Sequence, residues 1–225
     1  MAPSILVPLD GSLLAEQALP LAEAVAQALR ARMRLALVHQ LPPPPLGSSG
    51  EKLYVSLELN VRKAQKAYLH RMARTIRGRP RSEIRTAVLE GPVGPAIQKY
   101  VQEIGVDLIV MSTHGRGALD RAWLGSVADY LVRTVTVPVL LVHPGAEATS
   151  ASSFAKPRKI IVPLDGSPLA ETVLGPATNL AKALDAEMLL VQVVKPVAIV
   201  TDTPGLLAPG FDDQLMSLWR QEAED

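Results

Sequence analysis

The sequence predicts an α/β fold built on a parallel sheet, and two observations carry this prediction. Short apolar segments, such as residues 108–111, have the composition of strands that are covered on both faces. These segments alternate along the chain with longer segments that have apolar residues at helical spacing. Strands and helices that alternate in this way form a parallel sheet with right-handed crossovers.

Five strands are predicted in the first part of the chain. They cover residues 5–10, 35–39, 84–89, 108–111 and 137–142. Helices are predicted between them, at residues 13–32, 52–76, 93–104 and 127–133. The proline-rich residues 42–50 are predicted to form a surface loop, because proline cannot continue a helix or a central strand.

Composition and charge exclude several classes of protein. The chain has no cysteine, which excludes disulfides and thiolate metal sites, and its formal net charge of +1 provides no general attraction to nucleic acid or membranes. The N-terminal residues lack the regions of a signal peptide, and no apolar run approaches the roughly 18 residues of a membrane span. We therefore expect a cytoplasmic protein.

The segment between the fourth strand and the last helix is the strongest candidate for a functional site. It contains a polar loop with His114, Gly115 and Arg116, followed by Gly125 and then Ser126 at the expected N-cap of a helix. A strand, a glycine-containing loop and a helix N-terminus together present backbone N–H groups to phosphate. The spacing fits neither the Walker nor the Rossmann pattern.

Asp10 ends the first predicted strand, and the loop that begins at Ser112 follows the fourth. Ligands of open parallel sheets bind in the crevice outside the carboxyl ends of the strands. Asp10 and this loop are therefore expected to face the same crevice.

The spacing of the loop resembles the signature of the universal stress protein family. Gly115 is followed by nine residues and then by Gly125 and Ser126, and Ser112 stands at the first glycine of the signature. VPLDGS, LEGPVGPAI, DLIVMSTHGR, LGSVAD and VPVLLV also resemble family segments, in family order. The resemblance implies a three-layer, adenine-nucleotide α-hydrolase-like sandwich with strand order 3-2-1-4-5. It also implies ATP binding, and dimers that pair through strand five.

The same resemblance implies a set of nucleotide-binding residues. Pro8, Leu9 and Asp10 would contact the ribose or adenine, and Met111 would border the nucleotide. The adenine-side position after strand two falls at Gln40, or at Val38 if the alignment shifts by two residues. On the phosphate side the implied residues are Ser112, His114, Gly115, Arg116, Gly125, Ser126 and Val127.

Each of these residues also has a purely structural interpretation. Asp10 either binds nucleotide or caps the helix that follows it, and Asp165 repeats it without a glycine loop. Ser126 either contacts phosphate or caps the last helix, with Asp129 completing a capping box. Arg116 and Arg121 either screen phosphate charge or keep the loop soluble. The basic residues 62–81 are read as a solvated helix face rather than a nucleic-acid site.

The beginning of the chain recurs after a linker. Residues 160–171 match residues 5–16 at ten of twelve positions, with an offset of 165 − 10 = 155. We interpret this as a tandem duplication, with domains at 1–143 and 158–225 joined by a linker at 144–157. The second copy lacks a glycine loop and is predicted to contain one strand, a helix at 169–184 and a strand at 188–194. It is too small to stand alone, so we expect it to dock on the first domain or another subunit, or to be poorly ordered.

The sequence therefore predicts a module that binds ATP, with or without Mg²⁺, or ADP or AMP, as a structural or regulatory ligand. The sequence contains no Walker lysine and no acidic metal cluster, and it places no carboxylate or nucleophile next to His114, the one residue that could act as a general acid or base. Neither a metal site nor catalysis beyond slow hydrolysis is therefore expected. A second hypothesis is a family member that acts through protein partners without nucleotide. A third hypothesis, an enzyme of the related hydrolase superfamily, lacks its Ser-Gly-Gly or His-x-Gly-His motif.

Overall fold

The computed structural model describes residues 2–40, 51–76, 84–114, 124–143 and 157–193. The chain divides into two compact units, Met1–Lys156 and Pro157–Asp225, and each is described by itself. The predicted loop at 42–50 and most of the linker at 144–157 lie outside the described residues. The predicted domain boundaries stay predictions.

The first unit is an α/β fold with five parallel strands in the order β3-β2-β1-β4-β5, which confirms the predicted architecture and strand order. The strands are β1 (Ser4–Pro8), β2 (Arg32–His39), β3 (Ile84–Glu90), β4 (Leu108–Ser112) and β5 (Val139–Val142). The described helices are α1 (Leu13–Glu16), α2 (Ala18–Ala28), α3 (Glu51–Thr75), α4 (Val93–Ile104) and α5 (Ser126–Thr134). Strands β1 to β3 are added towards one edge of the sheet and β4 and β5 towards the other, so the carboxyl ends of β1 and β4 form a switch point of the sheet.

The predicted helix at 13–32 is wrong in two places. It breaks at Gln17, because Pro20 has no N–H to donate to the carbonyl of Glu16 four residues earlier. It also ends at Ala28, since Arg30 adopts a φ of +50° and the chain is already in β2 at Arg32. Strand β5 starts at Val139 rather than 137, because Pro138 offers only its carbonyl, which accepts from the Ile109 N–H at 3.0 Å.

Alternation along the strands gives the sheet two apolar faces. Leu6, Ala36 and Ile109 are buried in a cluster with residues of α4 and α5. Their neighbours Ile5 and Val7 are fully buried as well and point to the opposite face, because successive side chains of a strand alternate. Burial on both faces explains why these strands are nearly continuous apolar runs.

The second unit repeats the first elements of the first. It contains β6 (Lys159–Leu164), α6 (Pro168–Glu171), α7 (Leu174–Leu184) and β7 (Glu187–Gln192). Strands β6 and β7 form a parallel two-stranded sheet. The helix predicted at 169–184 breaks between α6 and α7, as its counterpart does, and Asp185 has a φ of +51° at the position that corresponds to Arg30. The predicted strand at 188–194 is observed as Glu187–Gln192.

Candidate functional site

A crevice of about 390 Å³ opens at the carboxyl ends of β1, β2 and β4 and at the N-terminus of α5. The predicted nucleotide-binding residues that belong to the described part of the chain all line it. They are Pro8, Leu9, Asp10, Val38, Gln40, Met111, Ser112, His114, Gly125, Ser126 and Val127. Gly115, Arg116 and Arg121 lie outside the described residues. Whether these residues bind nucleotide stays a prediction.

Eight further residues line the crevice that the sequence analysis did not propose. They are Ala15, Ala36, Leu37, Gln65, Val93, Ile97, Thr113 and Ala128. Three of them adjoin predicted site residues, so adjacency in the sequence was a usable signal: Leu37 precedes Val38, Thr113 follows Ser112 and Ala128 follows Val127. Gln65 and Ile97 come from helices that are distant in the sequence, and only the packing of α3 and α4 brings them to the crevice.

The Asp10 carboxylate closes a turn at the end of β1. Its Oδ1 accepts hydrogen bonds from the Ser12 N–H at 2.9 Å and from the Ser12 hydroxyl at 2.6 Å. The Ser12 hydroxyl in turn accepts from the Ala15 N–H, which caps α1. Asp165 makes the same bond to the Ser167 N–H at 2.9 Å in the second unit. This turn explains why both aspartates are present whether or not either binds a ligand.

The N-terminus of α5 differs from its prediction. Gly125 is the N-cap, Ser126 is the first helical residue, and no side chain caps the helix. Asp129, predicted to complete a capping box, instead accepts from Arg133 Nε at 3.0 Å. The prediction of a Ser126 cap is therefore wrong, because the helix starts one residue earlier. Ser126 is exposed and faces the crevice without a capping role.

Gly125 is required by the protein's own backbone. Its N–H donates to the Thr113 carbonyl at 2.7 Å, and a Cβ added at Gly125 would lie 2.7 Å from the same oxygen. Real Cβ atoms do not approach a backbone oxygen so closely. The bond between Thr113 and Gly125 ties the end of β4 to the start of α5, and it leaves no room for a side chain.

The two ends of this loop match a family pattern. Residues 1–143 match the model of the Universal stress protein family. The chain belongs to the universal stress protein family.

Two solved universal stress proteins share the fold, and one curated relative is more similar in sequence. The "Universal stress protein in QAH/OAS sulfhydrylase 3'region" of Thermus aquaticus is 37% identical over 144 residues, which is 64% of this chain and all of that protein. "Universal stress protein UspA from Lactobacillus plantarum" superposes with a TM-score of 0.54 at 21% identity, over 63% of this chain and 97% of that one. A universal stress protein from Archaeoglobus fulgidus gives a TM-score of 0.62 at 17% identity, over all of this chain and 74% of that one.

Ser112, which replaces the first glycine of the universal stress protein signature, is part of β4. It pairs with Val142 in the sheet and is buried, and its hydroxyl accepts from the His114 N–H at 3.3 Å. The serine side chain therefore turns into the local backbone and stabilises the turn after β4.

Thr113 joins two histidines at the ends of β4 and β5. Its buried hydroxyl lies 3.0 Å from Nδ1 of His114 and 3.3 Å from Nδ1 of His143, whose rings meet edge to face with centroids 5.9 Å apart. One hydroxyl has one proton, so Thr113 donates to one histidine at most and accepts from the other. The described residues contain no cluster of three or more metal-binding side chains, here or elsewhere.

Helix α3 forms the wall of the crevice near β2. His39, the last residue of β2, places Nδ1 2.8 Å from Oε1 of Gln65. Beside it in the sheet, Glu90 of β3 accepts from Arg62 at 2.7 Å. The Arg62 guanidinium lowers the pKa of Glu90, and His39 lowers it further. Two neighbouring strand ends thus hold α3 at positions three residues apart.

Tyr68, one turn beyond Gln65, is buried near the acidic groups of the α1 turn. Burial raises the pKa of Tyr68, and the negative charges of Glu16 and Asp10 raise it further. The phenol therefore stays protonated at neutral pH.

No helix in the described part of the chain combines the length and hydrophobicity that a membrane crossing requires.

Proposed function

We propose that this chain binds ATP or a related adenine nucleotide in the crevice, as a structural or regulatory ligand. The observation that carries the proposal is that one crevice combines apolar side chains with an uncapped helix N-terminus. A nucleotide combines the two matching groups, a flat base and phosphates.

The apolar lining supports base binding. It includes side chains of β2, α4 and β4, among them Val38, Ile97 and Met111. Small-molecule sites are concave and mostly apolar, with a few polar groups that fix orientation. A volume of about 390 Å³ lies in the range of about 300–1,000 Å³ for such sites.

The N-terminus of α5 supports phosphate binding. The first hydrogen bond of the helix runs from the Asp129 N–H to the Gly125 carbonyl, so the N–H groups of Ser126, Val127 and Ala128 have no acceptor within the helix. These N–H groups and the positive end of the helix dipole attract an anion. The family supplies independent support, since one solved universal stress protein is in complex with cAMP.

We further propose that the bound nucleotide is ATP, with ADP and AMP as alternatives, and that Mg²⁺ would be held mainly by the phosphates. Mg²⁺ usually binds through substrate phosphates and one or two carboxylates. Among the described residues that line the crevice, Asp10 supplies the carboxylate, and its Oδ1 already accepts from Ser12. No other described lining residue carries a carboxylate, and we propose that hydrolysis is slow at most.

Thermal unfolding of the whole chain with ATP, ADP and AMP, with and without Mg²⁺, tests the proposal. At about 100 times Kd, binding adds roughly 2.7 kcal/mol of stability, a shift of a few degrees. Asp10→Ala should abolish the shift, whereas Asp165→Ala, which breaks the same turn bond in the second unit, should leave it intact. An unchanged melting temperature with every nucleotide at millimolar concentration would favour the partner-binding alternative.

We also propose that the chain forms a homodimer through β5, the last strand of the five-stranded sheet. The chain has no cysteine, so a single cysteine at Val139 can form a disulfide only between two chains. Oxidation should crosslink the Val139→Cys protein but not a Val55→Cys control on the exposed part of α3. A monomeric mass in solution together with no crosslink would contradict the proposal.

A further inference from the structure

We propose that Gln65, fixed in place by His39, reads the edge of the nucleotide base and selects adenine over hypoxanthine. The inference rests on the proposed function. It assigns base selectivity to a residue of α3, an element that the sequence pattern did not connect to the site.

The contact between His39 and Gln65 is short and half-buried. His39 is 8% exposed, and its Nδ1 lies 2.8 Å from Oε1 of Gln65. Gln65 is partly exposed and lines the crevice together with Val38 and Gln40, which come from the same end of β2. The oxygen of the Gln65 amide therefore contacts His39, and the side chain borders the space where a ligand would lie.

The chemistry of the pair fixes which end of the amide is available. An amide oxygen only accepts, so the imidazole must carry its proton on Nδ1. Among the described residues, Nε2 of His39 has no hydrogen-bond partner, and the tautomer protonated at Nδ1 leaves it as a lone pair rather than as a buried N–H. With Oε1 bonded to His39, Gln65 keeps two N–H donors on its nitrogen.

The turn of α3 that leads to Gln65 is held by a second contact with the sheet. Arg62, one turn earlier on α3, bonds Glu90 of β3 at 2.7 Å and Glu58 of its own helix at 3.0 Å. Glu90 and His39 are register partners in neighbouring strands. The ends of β2 and β3 thus both contact the same turn of α3. The Gln65 amide cannot rotate to present its oxygen to the crevice without losing the bond to His39.

A fixed donor on the wall selects a base with an acceptor at that edge. The donor must lie opposite N1, because N1 of adenine is a ring-nitrogen acceptor, whereas N1 of hypoxanthine carries a proton and is a donor. The O6 acceptor of hypoxanthine lies at the neighbouring position, where adenine has its amino group. A site built to hydrogen-bond a ligand group discriminates against an analogue that leaves its buried polar group unpaired. Gln40 is exposed and can turn its amide to suit either base, so the discrimination is assigned to Gln65.

Calorimetric titration of the whole chain with ATP and ITP tests this inference. The wild-type protein should bind ATP about tenfold more tightly than ITP, and Gln65→Leu should bring the ratio close to one. Gln65→Glu has only acceptors and should reverse the preference towards ITP. His70→Leu, an exposed position on the same helix, is the matched control and should keep the wild-type ratio.

His39 acts through Gln65 and is a positioning residue. His39→Phe should lose the selectivity while keeping a ring in the core, and His39→Asn, which can donate to Oε1 of Gln65, should restore part of it. A merely structural role would lower thermal stability without changing the ratio of ATP to ITP affinity.

The outcomes separate the two proposals. No binding of either nucleotide to the wild-type protein overturns both. Binding of ATP with the same ATP-to-ITP ratio in wild type, Gln65→Leu and Gln65→Glu overturns only the role of Gln65.

Discussion

Gly125 shows how a residue of a ligand signature can be fixed by the fold. Its N–H donates to the Thr113 carbonyl, and a Cβ at this position would overlap the same oxygen. The family resemblance implies that Gly125 lies on the phosphate side of a nucleotide, and the group observed against it is the protein's own backbone. A signature glycine therefore identifies the family more securely than it identifies a bound ligand.

Gly125→Ala should lower the free energy of unfolding by roughly 1–3 kcal/mol, because the added Cβ overlaps the Thr113 carbonyl. Ser126→Ala should change it by less than about 0.5 kcal/mol, since the Ser126 side chain does not cap α5. Urea unfolding of both variants without nucleotide measures the difference. A loss of about 1 kcal/mol in Ser126→Ala would restore the N-cap interpretation.

Asp165 offers a second test at a single residue. Hydrogen bonds from Ser167 lower the pKa of Asp165 below its ordinary value of 3.8. A lowered pKa in the folded state contributes stability that is present above 3.8 and is lost as the pH falls through the folded value. NMR titration should find a pKa below 3.8 for Asp165 and a higher one in Ser167→Ala; equal values in the two proteins would contradict the role of the turn.

At the scale of elements, sequence patterns predicted the bounds of a helix best where a proline or a glycine stands at its ends. Helix α4 was predicted with its observed ends, because Pro92 precedes it and Gly105 ends it with a φ of +64°. The break between α1 and α2 was missed, since the amphipathic pattern continues through Gln17 and only the missing N–H of Pro20 interrupts the hydrogen bonds.

The contact between α4 and α5 depends on one small residue. A Cβ at Gly94 would lie 2.5 Å from the Tyr130 ring, whose hydroxyl donates to Gln98 of α4 at 2.8 Å. Gly94→Ala should therefore separate the two helices and lower stability by roughly 1–3 kcal/mol. In a Tyr130→Leu background the same substitution should cost less. A cost that is equal in both backgrounds would place the strain in the backbone before Pro95 instead.

The crevice shows what sequence reasoning omits at this scale. Residues at or just beyond the carboxyl end of a strand, such as Asp10 and Ser112, were found because the ends of parallel strands define the crevice. Gln65 was not found, because its role depends on the rotation of α3 about its axis. That rotation is set by contacts of His39 and Glu90 with the helix, and helical periodicity alone does not predict it.

At the scale of the whole molecule, the two units place matching residues in different surroundings. Leu6 in β1 is fully buried, whereas its counterpart Ile161 in β6 is 64% exposed. The sequence predicted both strands from the same apolar pattern. That pattern indicates a strand, but it does not indicate whether neighbouring strands are present to cover it.

The difference can be measured as a matched pair of substitutions. Leu6→Ala should lower the free energy of unfolding by roughly 2–5 kcal/mol, the usual loss for a large-to-small change in a core. Ile161→Ala should cost well under 1 kcal/mol, because little apolar surface is lost from an exposed side chain. Chemical unfolding of the full chain provides the comparison. Equal losses would mean that another molecule or segment covers β6 in solution.

The backbone bond between Gly125 and Thr113 has a consequence for how this site can change. It closes the intervening chain at its base, so the start of α5 is aimed at the crevice by two residues that stay put when the residues between them are altered. Doubling the length of a closed loop adds only about 0.6 kcal/mol of closure entropy. Insertions between these anchors should therefore leave the start of α5 in position at the crevice.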